Sequence, residues 1–308
     1  RVKFIHSFGQ VLSTNVDWVA TLEHFFIFSE NDYSYLENKH YKERLKSLIQ
    51  ANNCRRIYAL THIARDRIIE YFDGDLLIKN KIDCVYPAIH FNTCPKPKRL
   101  THDSITLLFI ANKDYYMKGV AEALKTFHIL SDRYPHRFRL IFKCSTIPFE
   151  ARKLCDHQDV HLIDTPLSYG KIVELFHNSD IFLFPLWKSS FGVLLEAMHF
   201  GIPIVTTGVF DVPEIVRHKI NGIVIPTDKG LLDNLSKFRN DNEYIKYIAK
   251  LHNSDIIEGL ADGIEQLVKQ ERLYSSISRN NIVDATEGRF SPTKRNDAYK
   301  REYLRYNT

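Results

Sequence analysis

The sequence predicts an α/β protein built on parallel sheets. Short apolar runs of strand length alternate with longer segments of helical periodicity along most of the 308 residues, which is the pattern of βαβ units. One of these runs, Ile181–Phe184, is apolar at every position, as is typical of a strand covered by helices on both faces. The length of the chain suits two domains of ordinary size.

The first hundred residues contain four predicted strands, two predicted helices and a linker. The strands are expected at Val2–His6, Trp18–Leu22, Arg56–Leu60 and Lys81–Tyr86. The helices are expected at Leu36–Gln50 and His62–Phe72. The segment Phe91–Leu100 contains Pro95 and Pro97 among several basic residues, which is typical of a linker between domains.

A second series of elements follows the linker. Its strands are expected at Ile105–Ala111, Arg137–Phe142, Val160–Ile163, Asp180–Phe184 and Ile202–Thr206, with helices near Lys118–Ser131, Tyr169–Asn178 and Val193–Phe200. After a short apolar run at Gly222–Ile225 the pattern is helical to about Tyr274. The pair Ser291-Pro292 predicts the start of a last helix, because Ser is a good N-cap and Pro fits a first helical turn.

Composition limits the classes of function. The chain is 44% hydrophobic and 26% charged, as is usual for soluble globular proteins, and it has no apolar run long enough to predict a membrane-spanning helix. Five cysteines, an odd number without a C-x-x-C pair, argue against a disulfide framework or a zinc site and favour a cytoplasmic location. The net charge of +5 fits anionic substrates or an acidic membrane surface, but it is too small and dispersed to predict nucleic-acid binding.

The segment around Gly192 gives the strongest functional signal. A buried strand ends at Pro185, and a helix opens near Gly192, so the first turn of this helix is expected at the carboxyl edge of the sheet, where open α/β sheets bind ligands. Unpaired amides at a helix start favour a phosphate, and a glycine lets a ligand approach the backbone closely. Glu196, one turn later, can accept hydrogen bonds from two ribose hydroxyls. The alternative is that this strand–glycine–helix pattern serves packing alone.

The same stretch resembles the signature of the GT4-type retaining glycosyltransferases (glycosyl transferases group 1), which have the GT-B fold. The matching residues are Phe191-Gly192, Leu195-Glu196-Ala197-Met198, Gly201, Pro203, Asp211-Val-Pro-Glu-Ile-Val216 and Asn221-Gly222. The resemblance implies two Rossmann-like domains that face each other across a cleft. It assigns residues 1–97 to a partial, acceptor-side domain, residues 98–285 to the nucleotide-sugar-binding domain, and residues 286–308 to a helix that crosses back to the first domain.

An upstream block, from Leu107 to Gly119, resembles the family's strand, loop and Lys-Gly segment. The resemblance places Lys118 where the family's lysine contacts the donor diphosphate, and a lysine is a suitable point charge for a departing phosphate. The alternative is a solvated lysine at a helix start, although a cation there opposes the helix dipole. His24 follows the second predicted strand, where the resemblance implies a histidine that reaches the donor sugar; it could equally be an ordinary surface histidine.

Three departures from the family's pattern are visible. Lys188 occupies the position of the first glutamate of the family's E-x7-E motif, and Asn112 occupies the position of its arginine. Lys113 is a candidate substitute for that arginine, but a lysine cannot make the same bidentate contact. The Gly-rich loop that opens the family's N-terminal domain is not found before Val2, so the resemblance implies that one or two βα units are absent.

The resemblance implies transfer of a sugar from a nucleotide diphosphate-sugar to a glycan or lipid-linked acceptor, with retention at the anomeric carbon and without a metal or other cofactor. The implied catalytic residues are Lys118, His24 and Glu196. The implied donor-binding residues are Asn112, Lys113, Ser190, Phe191, Gly192, Val193 and Glu196, with Thr165 and Leu167 near the base. The departures leave open a non-catalytic GT-B protein that binds nucleotide-sugar or glycan, and a GT-B enzyme of different chemistry such as an epimerase or phosphorylase.

The predicted last helix carries basic residues interleaved with tyrosines, including Lys294, Arg295, Lys300 and Arg301. Two interpretations remain open. The basic residues could contact anionic lipid headgroups, which would make the protein peripheral at the inner face of a membrane. Alternatively, they form a solvated face while the tyrosines pack on the core.

Overall fold

The computed structural model describes residues 3–30, 32–91, 93, 95–101, 103–112, 115–147, 149–230, 234 and 237–306. The chain divides into two compact units. The N-terminal unit comprises residues 1–87, 234–244 and 293–308, and the C-terminal unit comprises residues 88–233 and 245–292. Each unit is built on a parallel sheet with helices, so the predicted α/β class is confirmed.

The N-terminal unit contains a four-stranded parallel sheet in the order β1-β2-β3-β4. Its strands are β1 (Phe4–Phe8), β2 (Asp17–Leu22), β3 (Cys54–Ala59) and β4 (Ile82–Cys84). Its helices are a 3₁₀ helix (Phe25–Ser29), α1 (Ser34–Glu37), α2 (Lys39–Gln50), α3 (His62–Tyr71) and α4 (Leu76–Lys79). Side chains cap the two longer helices: Asn38 accepts the Tyr41 N–H at the start of α2, and Thr61 accepts the Ala64 N–H at the start of α3.

The C-terminal unit contains a six-stranded parallel sheet in the order β10-β9-β8-β5-β6-β7. Its strands are β5 (Ile105–Ala111), β6 (Phe138–Cys144), β7 (Val160–Ile163), β8 (Ile181–Phe184), β9 (Ile204–Thr207) and β10 (Gly222–Ile225). Its helices are α5 (Val120–Arg133), α6 (Phe149–Arg152), α7 (Tyr169–His177), α8 (Phe191–His199), α9 (Val212–Ile215), α10 (Asp241–Ile248), α11 (Ser254–Lys269) and α12 (Glu271–Thr286), with a 3₁₀ helix at Lys153–Cys155. The first four residues of α10 group with the N-terminal unit.

The strand order reverses between β5 and β8, which are neighbours at the centre of this sheet. From β5 the chain proceeds to β6 and β7 on one side, whereas from β8 it proceeds to β9 and β10 on the other. Such a switch point opens a crevice at the carboxyl ends of its two strands, and doubly wound sheets bind ligands there. The loops that follow β5 and β8 therefore occupy the position at which this fold is expected to hold a ligand.

The last helix, α13 (Pro292–Tyr306), packs on the sheet of the N-terminal unit. Tyr299 and Tyr303 lie against a buried cluster that includes Val19 and Tyr58. The Tyr303 hydroxyl hydrogen-bonds to the His6 ring, and the Tyr299 hydroxyl lies 3.2 Å from that of Thr21. The tyrosines of α13 thus pack on the core, as the second of the two interpretations of this helix requires. Within the described part of the chain, no helix has both the length and the apolar character needed to cross a bilayer.

Most predicted strands are confirmed, and the differences lie at element ends. Strands β5 and β7 have the predicted bounds. The predicted start of α5 at Lys118 is wrong, because Gly119 has a left-handed backbone (φ 67°) and caps a helix that begins at Val120. Lys118 consequently lies in the loop before the helix and outside its first turn, so the helix dipole no longer favours one of the two interpretations of this lysine. Among the described residues beyond Ile225, the helical stretch includes α10, α11 and α12, and it continues to Thr286.

Candidate active site

The loops after β5 and β8 are joined directly. The Trp187 N–H donates to the Met117 carbonyl at 2.9 Å. Gly119 approaches Pro185 so closely that a Cβ at position 119 would lie 1.8 Å from the Pro185 carbonyl oxygen. Both the left-handed backbone and this contact require glycine at position 119. They hold Lys118 at the carboxyl end of β8, with its Nζ 6.0 Å from the centre of the Phe184 ring.

The buried side chain of Glu122 stabilises the start of α5, which follows the Lys118 loop. Glu122, in the first turn of α5, is 6% exposed, and burial raises the pKa of its carboxyl above the usual range. The Asn253 side-chain amide donates to this carboxyl at 2.8 Å. A hydrogen-bonded acid in this position fixes the start of α5 and, with it, the loop that carries Lys118.

The β8–α8 loop is anchored to the next strands of the sheet. The Ser189 hydroxyl donates to the carboxylate of Asp211, which is fully buried. The Thr207 hydroxyl donates to the Leu186 carbonyl. Buried side-chain hydrogen bonds of this kind hold a loop in one conformation, so the opening turn of α8 is presented from a fixed support.

The opening turn of α8 offers uncapped amides. Ser190 is the N-cap residue, but its side chain makes no capping hydrogen bond. The N–H groups of Phe191, Gly192 and Val193 donate to none of the described residues. Such a turn attracts anions, because the helix dipole and the unpaired amides act together.

Gly192 is exposed, and a Cβ added there would meet no atom within 4 Å. Its backbone is not left-handed either. Neither packing nor backbone conformation therefore explains a glycine at position 192. A ligand that must come close to the amides of α8 does explain it.

Glu196 lies one turn further along α8 and is half-buried. Burial raises the pKa of its carboxyl to about 7. Among the described residues none donates a hydrogen bond to this carboxylate. Its acceptor sites are thus available to an incoming ligand, and two vicinal hydroxyl groups match what one carboxylate can accept.

An exposed aromatic side chain, that of Tyr169, interacts electrostatically with Glu196. Burial and, to a smaller extent, the negative charge of Glu196 raise the pKa of Tyr169. The Phe91 ring stacks on the Tyr169 ring at 6.0 Å between centroids and on the His199 ring at 4.4 Å. The Tyr169 side chain remains 59% exposed, so it offers a supported aromatic surface next to the carboxylate.

Sequence reasoning overlooked Tyr169 and Phe91. The sequence pattern predicts only a helix start at Tyr169 and a linker start at Phe91. An aromatic residue directly after the helix-capping Ser168 was a usable signal, because an exposed ring at the carboxyl edge of a parallel sheet is available to a ligand.

The remaining predicted residues lie in several places. Asn112 is exposed immediately after β5, and Thr165 and Leu167 lie between β7 and α7, exposed and half-buried respectively. Lys113 lies outside the described residues. His24 belongs to the N-terminal unit, where it follows β2 in an extended conformation with its ring edge against Phe26. The structure thus brings together the Lys118 loop and the opening turn of α8, and the functional roles of all these residues stay predictions.

The order of the six-stranded sheet, the ligand-accessible turn at its switch point and the second parallel sheet define a GT-B-type α/β protein. Solved GT-B glycosyltransferases share this fold. The chain aligns with WaaG, a glycosyltransferase involved in lipopolysaccharide biosynthesis, with a TM-score of 0.60 and 17% identity, over 92% of this chain and 74% of that one. It aligns with Anabaena HepE in complex with UDP-glucose with a TM-score of 0.63 and 14% identity, over 94% and 72% of the two chains.

Part of the chain matches the group 1 glycosyltransferases. Residues 104–241 match the family described as "Glycosyl transferases group 1", which confirms the resemblance drawn from the motifs. The chain is 30% identical over 131 residues to N-acetyl-alpha-D-glucosaminyl L-malate synthase of Bacillus anthracis, covering 40% of this chain and 34% of that protein. It is 23% identical over 199 residues to the gpi3 subunit of phosphatidylinositol N-acetylglucosaminyltransferase of Schizosaccharomyces pombe, covering 62% and 42%. The chain therefore spans less than half the length of either relative.

Proposed function

We propose that this chain transfers a sugar from a nucleoside diphosphate-sugar to an acceptor hydroxyl, with retention at the anomeric carbon. One observation carries the proposal: the uncapped turn of α8, with Gly192 facing open space, stands one turn before a half-buried carboxylate that lacks a described partner. The amides of α8 would bind the diphosphate, and the Glu196 carboxylate, one helical turn further along, would bind the ribose. HepE, a GT-B protein of similar fold, was solved with UDP-glucose, which supports a donor of this class.

The diphosphate would lie between the α8 amides and the loop after β5. Lys118, together with Lys113 and the N–H groups around Gly192, would stabilise the negative charge that develops on the departing phosphate. A fixed cation at that point is the usual form of such stabilisation. This arrangement supplies the positive charge from the protein, so the proposed mechanism needs no metal ion.

The nucleoside would lie along Glu196 and Tyr169. Glu196 would accept the ribose hydroxyls, while the exposed Tyr169 ring, held by Phe91, would pack against the sugar or the base. Thr165 and Leu167 precede α7, the helix that opens with Tyr169, so the base is expected beside them.

The acceptor is proposed to be a glycan or a lipid-linked sugar. WaaG acts in lipopolysaccharide biosynthesis and the yeast relative in phosphatidylinositol glycosylation, by their names. The N-terminal unit offers a cavity of about 570 Å³ at the carboxyl end of β1. Its lining mixes apolar side chains such as Phe28 and Leu48 with the polar Glu30, Tyr41 and Arg44, which suits a molecule with both apolar and hydroxylated parts. His24 is proposed to serve the acceptor side as well.

Calorimetry tests the donor site directly. UDP, GDP and their sugars would be titrated into the wild-type protein and into the Glu196→Ala variant. Loss of a hydrogen bond to a charged group costs about 1.5–3 kcal/mol, so the variant should bind at least about tenfold more weakly. If no nucleotide binds the wild type, the proposed donor site does not exist. If a donor does bind, NMR of the product formed from the isotopically labelled donor would report the anomeric configuration.

A second candidate function is donor binding without turnover. Lys188 stands in the half-buried β8–α8 loop, at the position where the family's pattern has its first glutamate. A cation there changes the contacts available to the donor sugar. Nucleotide-sugar binding accompanied by neither transfer nor hydrolysis would select this function, whereas turnover with any acceptor would eliminate it.

A further inference from the structure

A second polar cavity lies in the C-terminal unit, between the segment before β5 and helix α12. Its volume is about 350 Å³. The cavity is lined by Arg99, Glu271, Arg272, Ser275, Ser276 and Arg279. Arg272, Ser276 and Arg279 follow one another at intervals of four and three residues, so they lie on one face of α12, and Arg99 faces them from the neighbouring segment. We call these lining residues the arginine cavity.

The arginine cavity carries uncompensated positive charge. No ion pair joins Arg99, Arg272 or Arg279 to an acidic residue of the described chain, and Glu271 is the one acid of the lining, so three cations less one anion leave +2. Other arginines of the same unit are paired with carboxylates, such as Arg133 with Glu258 and Glu265. Three guanidinium groups around one hollow, without matching acids, form a region of positive potential.

Both walls of the arginine cavity are fixed. Lys98 precedes Arg99 in the chain, and its backbone N–H donates a hydrogen bond to the Ser278 hydroxyl of α12 at 2.7 Å. The Lys98 side-chain Nζ donates to the His177 carbonyl at 2.8 Å. Tyr274 of α12 donates its hydroxyl to the Asp180 carbonyl at 2.8 Å. The two segments that carry the arginines are therefore held in place by hydrogen bonds.

The arginine cavity is separate from the donor site. His177 ends α7, and Asp180 directly precedes β8, so the hydrogen bonds that fix the walls are at the amino edge of the six-stranded sheet. Lys118 and Gly192 lie at the carboxyl edge. A ligand in the cavity would thus bind at the opposite end of the strands from the proposed nucleotide.

We propose that the arginine cavity binds a phosphate group carried by a ligand other than the sugar donor. Guanidinium groups donate paired N–H bonds that match phosphate oxygens, and the hydroxyls of Ser275 and Ser276 can donate to the same oxygens. The phosphate group can come from a small soluble phosphate or from the headgroup of an anionic phospholipid, and the experiment distinguishes these two sources.

The experiment uses the whole chain, two probes and three variants. Inorganic phosphate is titrated by calorimetry, and vesicles of phosphatidylcholine with or without phosphatidic acid are used for co-sedimentation. The test variant is Arg272→Gln/Arg279→Gln. The matched control, Lys246→Gln/Lys250→Gln, removes two exposed cations elsewhere in the chain, and Lys118→Ala weakens the donor site instead.

The wild type, the lysine pair variant and Lys118→Ala should bind alike, while the arginine pair variant should bind at least about tenfold more weakly. Added salt should weaken the wild-type binding, because the guanidinium groups are exposed. Binding of free phosphate identifies a soluble source, and binding only to vesicles that contain phosphatidic acid identifies a headgroup. No binding of either probe, equal binding by the arginine pair variant, or loss in Lys118→Ala alone would overturn the proposal.

Discussion

The Gly192→Ala variant should have a more stable fold than the wild type but a lower affinity for the nucleotide donor. An alanine Cβ at position 192 would meet no atom within 4 Å, and the residue is exposed in the first turn of α8 with an ordinary helical backbone. Replacing glycine by alanine at a compatible position stabilises a protein by about 0.4–1 kcal/mol, because the unfolded chain loses freedom. For a unit of this size the melting temperature should therefore rise by about 1–4 °C.

The same methyl group would stand where the proposed diphosphate approaches the amides of α8. Displacing a charged oxygen from one such hydrogen bond costs about 1.5–3 kcal/mol, so nucleotide affinity should fall roughly 10- to 100-fold. Differential scanning calorimetry measures the first effect and nucleotide titration the second. The result of interest is a variant that is more stable and yet binds more weakly.

Gly170→Ala is the matched control. Gly170 is also the second residue of a helix, it is exposed, and its Cβ would face open space. Helix α7 differs from α8 because its first turn is capped: the Ser168 hydroxyl accepts a hydrogen bond from the Lys171 N–H. Gly170→Ala should therefore raise stability and leave nucleotide affinity unchanged. If Gly192→Ala binds nucleotide as the wild type does, the amides of α8 are not the phosphate site. If it unfolds more easily than the wild type, position 192 does not face open space.

Three further predictions follow from the same geometry. Gly119→Ala should lower the free energy of unfolding by about 2–4 kcal/mol in urea, through a left-handed backbone and overlap with Pro185; an unchanged midpoint would contradict this. Lys118→Ala should lower kcat about 100- to 1000-fold, with partial recovery in Lys118→Arg, and full turnover would remove its leaving-group role. Because burial raises the pKa of Glu196 from 4.5 to about 7, the folded protein keeps a proton that the unfolded chain releases; stability should fall by up to about 3 kcal/mol between pH 4.5 and 7. Glu196→Gln should remove that slope, and a slope that persists would assign the titration to another group.

The hydrophobic pattern of the sequence predicted most of the fold, because a strand that is buried on both faces is a continuous run of apolar residues. The run Ile105–Ala111 was predicted with its observed bounds, since a central parallel strand is apolar throughout. Helix starts were less accurate. The local pattern places Lys118 inside α5 because its sequence neighbours fit a helix. In the structure Gly119 has a left-handed backbone and lies against Pro185, which is distant in sequence.

Part of the candidate site was equally visible in the sequence. Gly192 and Glu196 belong to one helix, and their spacing of four residues fixes their relation without any tertiary contact. Tyr169 and Phe91 were overlooked because they come to Glu196 and His199 from other segments of the chain. No local pattern encodes a stack between Phe91 and residues as far along the chain as Tyr169 and His199.

The sequence by itself determined the α/β class, the motifs that resemble group 1 glycosyltransferases and the helix that presents Gly192 and Glu196, because these depend on periodicity and on short spacings along one element. The tertiary structure alone decided that the Lys118 loop is tied to Pro185 and Trp187, that Ser190 leaves the α8 amides uncapped, and that burial raises the pKa of Glu196. It also decided that Arg99 joins two arginines of α12 around one cavity. Each of these depends on distances between segments far apart in the chain, which are set only when the strands of the sheet have paired.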